Sequence, residues 1–194
     1  MQKMCEQHGR ALFVGPLCTA STSWKIRKGN WEYIVAPCNI ANVHWTLIVI
    51  NMEISKAYVY DPLQTDTFVD ETEARVTEIL VPKVDEWRLE TFGSATKWPD
   101  WEVEVLEGPI RGDEINCGVL VTAIAWCCLH NKMDGIAAHK GALSSHTKKI
   151  LRLRMLWHLL CAPDIEEIVP PPDNRSRHNA DVDIFLEAAA QERI

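Results

Sequence analysis

Asn116-Cys117-Gly118-Val119-Leu120-Val121-Thr122-Ala123-Ile124-Ala125-Trp126 is the stretch on which the reading of this chain turns. A good N-cap residue, a cysteine and a glycine stand where a long apolar helix begins. The first N–H groups of a helix lack intrahelical partners and carry roughly half a positive charge, so that end favours an anion. A thiol placed there ionises more readily, and the thiolate is the reactive form. The stretch therefore reads as a placed nucleophile, which needs a base and a group to orient that base.

Both are available upstream. His44-Trp-Thr-Leu-Ile-Val-Ile50 is a continuous apolar run of strand length, as expected of a central strand buried on two sides. Ala57-Tyr-Val-Tyr60 is the next strand, stopped by Asp61-Pro62, and the short connector Asn51 to Lys56 implies an antiparallel hairpin. Such a hairpin brings the start of one strand beside the end of the next. His44 and Asp61 then share one edge of the sheet, and Cys117 arrives there from a helix N-terminus. Singly, each residue has an ordinary explanation: a polar strand start, a turn-forming Asp-Pro, a small residue at a helix start. Their joint order carries the argument.

The rest of the chain frames an α+β domain. Residues 1 to 30 are weakly patterned, with Thr19 to Ser23 a loop or cap. Trp31 to Ala36 is aromatic and β-branched and reads as a strand ending at Pro37; Asn39 to Val43 reads as a loop. Thr67 to Glu90 is charged and periodic, a helix that Pro82 breaks or kinks. Trp101 to Leu106 alternates with period two, the mark of a half-buried strand. Leu143 to Leu160 is a second helix, its apolar stripe formed by Ile150, Leu151, Leu153, Leu156 and Trp157. Residues 1–168 are expected to form a single catalytic domain. Residues 169–194 then form a tail, with a linker at Pro170-Pro171-Pro172 and a terminal helix over Asp181 to Arg193.

Composition excludes several classes. The 194 residues are 47% hydrophobic and 24% charged, which supports one well-packed domain. A net charge of −7 argues against a nucleic-acid binder, and Lys148-Lys149 with Arg152 and Arg154 reads as a solvated helix face. No run reaches the length of about 18 apolar residues that a membrane span needs. The N-terminus lacks the apolar core of a signal peptide, so an intracellular protein of cytoplasm or nucleus is expected. The seven cysteines are scattered and odd in number, as free thiols in a reducing compartment would be. Cys5 with His8, and Cys127-Cys128 with His130, do not supply paired zinc knuckles, so no metal is expected; Cys127 and Cys128 read as buried structural thiols.

Pro37, Val43-His44-Trp45-Thr46-Leu47, Val59-Tyr60-Asp61-Pro62-Leu63 and Asn116-Cys117-Gly118-Val119-Leu120-Val121 resemble the catalytic motifs of the SUMO and ubiquitin-like protein proteases, in the clan of the adenovirus protease. The resemblance spans about Trp31 to Asn131. It implies a papain-like cysteine protease fold, a small mostly antiparallel sheet flanked by helices, with the nucleophile at the N-terminus of a core helix. It also implies cleavage of peptide or isopeptide bonds after the C-terminal glycines of a ubiquitin-like modifier. No cofactor is required. Cys117 would be the nucleophile, His44 the general base and then acid, and Asp61 the orienter. Trp45 would line the tunnel for the substrate's Gly-Gly tail. The family's oxyanion glutamine stands six residues before the nucleophile, where this chain has Arg111, whose guanidinium N–H groups also suit an anion. The family's second tunnel tryptophan lies well upstream of the histidine, and only Trp24 and Trp31 are available here. Two alternatives follow: a pseudo-protease that binds a modifier or partner without cleaving it, and an acetyltransferase of the same clan. Asp61 and the acidic balance favour the protease over the acetyltransferase.

Overall fold

Five strands, Ala11–Phe13 (β1), Tyr33–Ile40 (β2), His44–Asn51 (β3), Lys56–Tyr60 (β4) and Glu102–Val105 (β5), form one sheet in sequential order. Five α-helices accompany them among the described residues: Gln2–His8 (α1), Asp66–Arg75 (α2), Val81–Phe92 (α3), Cys117–Leu129 (α4) and Ser145–Leu160 (α5). The computed structural model describes residues 1–112, 116–130 and 140–160. The expected linker and terminal helix of the tail lie outside these residues, as does the proposed boundary at 168.

The centre of the sheet is antiparallel. β2 pairs with β3 from Tyr33↔Asn51 to Ile40↔His44, and β3 with β4 from Leu47↔Tyr60 to Asn51↔Lys56. Both edges join in parallel, β1 on β2 and β5 on β4. A parallel neighbour requires a crossover, and α2 and α3 supply it between β4 and β5. Leu47, Ile48, Val49 and Ile50 are wholly buried, as a strand covered on both faces should be. Tyr33, Val35, Leu47, Val49 and Tyr60 face Leu120, Val121 and Ile124 of α4. Ile34, Ala36, Ile48, Ile50 and Val59 face Val76, Leu80, Val84 and Trp87 on the other side. Each buried Val, Leu or Ile side chain contributes about 1.5–3 kcal/mol on leaving water, so the two layers hold the sheet from both faces.

β2 does not stop at Pro37. The Tyr33 N–H donates to Arg10 O at 3.2 Å, so odd-numbered residues of β2 point their N–H groups towards β1. β1 ends at Phe13, opposite Val35. At Pro37 that side has no partner strand left, and the missing donor breaks no ladder bond. The expected loop from Asn39 shrinks to a tight turn, closed by Val43 N–H to Ile40 O at 3.0 Å, with Ala41 and Asn42 at φ 50° and 60°. Positive φ at both central residues suits a two-residue hairpin turn, and it starts β3 at His44.

The helix expected over Thr67 to Glu90 runs as one helical path from Asp66 to Phe92, with a wide π turn at Val76–Leu80. Pro82 follows immediately. Its ring crowds the carbonyl four residues back and it lacks a donor; the wide turn relieves both. The weakly patterned first 30 residues hold α1, β1 and a 3₁₀ turn at Cys18–Ala20, elements too short to show a period. In α5 the expected stripe splits: Leu151 is buried, whereas Leu153 is 65% exposed and Leu156 49%. Residues two apart on a helix point roughly 200° apart, so Leu151 and Leu153 take opposite sides.

Candidate active site

His44 opens β3 and Asp61 follows the last residue of β4, both on the face of the sheet that carries α2. Each is 1% exposed. His44 Nε2–H donates to Asp61 Oδ1 at 2.5 Å. Asp61 also accepts the Leu63 N–H on Oδ1 at 2.8 Å, and the Thr65 N–H and hydroxyl on Oδ2 at 2.9 and 3.2 Å. Burial alone would push its carboxyl up, but hydrogen bonds from His44, Thr65 and Leu63 together hold it below the ordinary carboxylate range. An ionised carboxylate only accepts, so the shared proton belongs to Nε2, and in the neutral ring Nδ1 keeps the lone pair. His44 Nδ1 is buried and has no hydrogen-bond partner among the described residues. The ring of Phe68, on α2, stacks on His44 with centroids 4.6 Å apart and planes 30° apart.

Cys117 is the first residue of α4 and is 7% exposed. Asn116 holds the N-cap position, but through its backbone: its carbonyl accepts the N–H groups of Val119 and Leu120 at 3.1 Å, and its side chain makes no capping bond. α4 packs across β3 and β2, with its positive end at the cysteine. The six described cysteines, Cys117 among them, are all free.

The segment leading towards Cys117 is fastened to the Asp61 turn. Tyr60 Oη donates to Pro109 O at 2.5 Å, Gln64 Nε2 to Gly108 O at 3.0 Å, and the Arg111 N–H to Pro62 O at 2.6 Å. Burial pushes the Tyr60 phenol well up, so it stays a donor across the physiological range. Ile110 N–H reaches Gly141 O at 3.0 Å on the other side. Arg111 is thus placed by its backbone against the residue after Asp61. Trp45 is half-buried against the α4 layer, on the opposite face of β3 from His44. Trp24 and Trp31 are engaged locally: Trp24 Nε1–H donates to Cys18 O and Ser21 O at 2.7 and 2.9 Å, and Trp31 Nε1–H to Arg27 O at 2.8 Å.

The contacts of three contributors escape sequence reading. Phe68, Tyr60 and Gln64 act through contacts that join separate elements. Among the described residues no three His, Cys, Asp or Glu side chains gather as a metal site would require, and no described helix is long and apolar enough to cross a membrane.

An α+β domain whose sheet is backed by a helix opening on a cysteine is the fold of papain-like cysteine peptidases. The pattern of the Ulp1 protease family, C-terminal catalytic domain, matches residues 17–157. The chain belongs to that family and is a cysteine peptidase. Among solved structures it is similar to the SUMO protease Ulp1 with its catalytic cysteine oxidised to a sulfonic acid. That match has 18% identity and a TM-score of 0.55, covering 82% of this chain and 72% of the other. The C-terminal Ulp1 protease domain in complex with Smt3, the yeast ortholog of SUMO, gives 16% identity and 0.55, covering 81% and 71%. A de-sumoylating protease gives 15% identity and 0.50, covering 77% and 73%. No curated protein matches the chain by sequence.

Proposed function

We propose that this chain hydrolyses peptide or isopeptide bonds after the C-terminal glycines of a ubiquitin-like modifier, with Cys117 as nucleophile, His44 as base and then acid, and Asp61 as orienter. The observation that carries it is the His44 imidazole, fixed by Asp61 at Nε2 and left with a buried Nδ1 that has no hydrogen-bond partner among the described residues. A buried nitrogen without a partner costs roughly 1–3 kcal/mol, and a role in proton transfer is one physical reason for a fold to keep it. Here it is the atom that takes the thiol proton.

The chemistry balances on these groups. Cys117 Sγ gives its proton to His44 Nδ1 and its electron pair to the scissile carbonyl carbon. The oxyanion is held by the Cys117 N–H at the positive helix end and by Arg111. The C–N bond breaks as His44 returns the proton to the departing amine, leaving a thioester. Water, deprotonated by His44, then attacks the thioester carbonyl and releases the thiol. Trp45 lines the approach of a thin glycine tail. The six described cysteines form no disulfide, which suits a reducing cytoplasm or nucleus.

The replacement of the family glutamine by Arg111 favours one other reading, a modifier-binding pseudo-protease. Incubation with a panel of modifier precursors extended beyond Gly-Gly separates them. Hydrolysis yields a product ending in Gly-Gly by mass, and the Cys117→Ala variant yields none. Saturable binding of a precursor that stays intact supports the second reading.

A further inference from the structure

We infer that Phe68 is a positioning residue for the base: its ring sets the plane of the His44 imidazole and so the direction of Nδ1. The inference rests on the reading of His44 as the base of Cys117. One hydrogen bond fixes a single vector of an imidazole. The bond from Nε2 to Asp61 leaves the ring free to turn about that vector, and with it the lone pair of Nδ1. The stacked Phe68 ring, 4.6 Å away by centroid, removes this freedom. A phenyl ring also offers no group that competes for the imidazole protons, and it keeps water off one face of the buried pair.

Phe68 is itself held by a closed circuit of contacts that starts and ends at His44. Asp61 Oδ2 accepts the N–H of Thr65, the residue before α2. The Phe68 N–H reaches Thr65 O at 3.1 Å in the first turn. The Phe68 carbonyl accepts Thr72 Oγ1–H at 2.6 Å, and Thr72 Oγ1 lies 2.9 Å from Thr46 Oγ1. A carbonyl only accepts, so Thr72 donates to Phe68 and Thr46 donates to Thr72. Thr46 stands two residues after His44 on the same face of β3, and both threonines are wholly buried. The carboxylate that orients the base through Nε2 therefore also sets the helix that orients it through its face. Asp61 is the titratable group whose contact with His44 the circuit contains.

The test reads Cys117 directly and needs no substrate. Alkylation of Cys117 by iodoacetamide is followed by peptide mass spectrometry from roughly pH 5 to pH 10, the range spanning free imidazole and thiol titration. In the wild type a base aimed at the thiol sustains alkylation near pH 6. Phe68→Leu is expected to lower the rate near pH 6 by about threefold to tenfold, the range a stacking contact supports, and to leave the rate near pH 10 unchanged. Phe68→Tyr, which keeps the ring, should restore it. His44→Ala separates the two claims. If it removes the low-pH rate while Phe68→Leu matches wild type, the role of Phe68 is overturned and the triad stands. If His44→Ala leaves the profile unchanged, the triad reading fails and this inference with it. Should Phe68→Leu not fold, Thr72→Val decides: it removes the anchor and keeps the ring. A reduced low-pH rate supports the inference and a wild-type profile overturns it.

Discussion

Asp61 holds the residue that precedes α2 and the imidazole of His44 together: Oδ2 accepts the Thr65 N–H at 2.9 Å, while Oδ1 accepts from His44 Nε2. One carboxylate thus fixes a local turn and orients an imidazole 17 residues upstream. Its loss should be felt in stability and in turnover together.

Asp61→Asn removes the charge and cannot accept with both terminal atoms. Turnover should fall by roughly 10²-fold or more, the lower end of what acid–base catalysis supplies. Stability should fall by about 1–3 kcal/mol as buried donors lose partners. The sign with pH follows from the depressed carboxyl. Its contribution is complete above the unfolded value of about 4 and is lost as pH falls through the folded one. Melting temperatures taken from roughly pH 6 to pH 3 should show a steeper acid decline in the wild type than in Asp61→Asn. Parallel curves would contradict the assignment.

Tyr60→Phe deletes a single oxygen and leaves the Pro109 carbonyl without its buried donor. A cost of about 1–2 kcal/mol is expected in denaturant unfolding with an unchanged slope. An unchanged midpoint would show that the Tyr60–Pro109 bond does not hold the 107–111 segment to the Asp61 turn.

Arg111 separates two roles by its kinetics. If its side chain serves the oxyanion, Arg111→Ala lowers kcat by roughly 10²–10³-fold and changes KM far less. Arg111→Gln, which restores an amide donor, should keep most of the activity. Wild-type turnover in Arg111→Ala would leave the oxyanion to the backbone at Cys117.

What was legible in the sequence followed from chemistry and period. His44, Asp61 and Cys117 are residue types that catalysis needs, each at the end of a strongly patterned element, so their placement in the fold could be anticipated. The two-sided burial of β3 was written in its unbroken apolar run. Pro37 misled because a proline stops a strand only where its N–H would have faced a partner, and β1 is too short to reach it. Phe68 was invisible because its contact joins α2 to β3, and local pattern carries no trace of it. Leu153 joins the expected apolar stripe by residue type alone, although helical geometry sets it opposite Leu151. Arg88 is a similar case. It is 3% exposed, lies 4.3 and 4.6 Å from the Trp98 and Trp101 rings, and donates to Ser55 Oγ at 3.0 Å, a buried cation that only tertiary structure explains.

We propose that Cys117 attacks the carbonyl at the end of a modifier's glycine tail. The direct measurement is reaction of the folded chain with ubiquitin-like proteins carrying a C-terminal electrophile, followed by mapping of the adduct. A covalent adduct with at least one modifier is expected on Cys117, absent in Cys117→Ala and strongly slowed in His44→Ala. An adduct that persists in Cys117→Ala, or no adduct with any modifier in the panel, would contradict it.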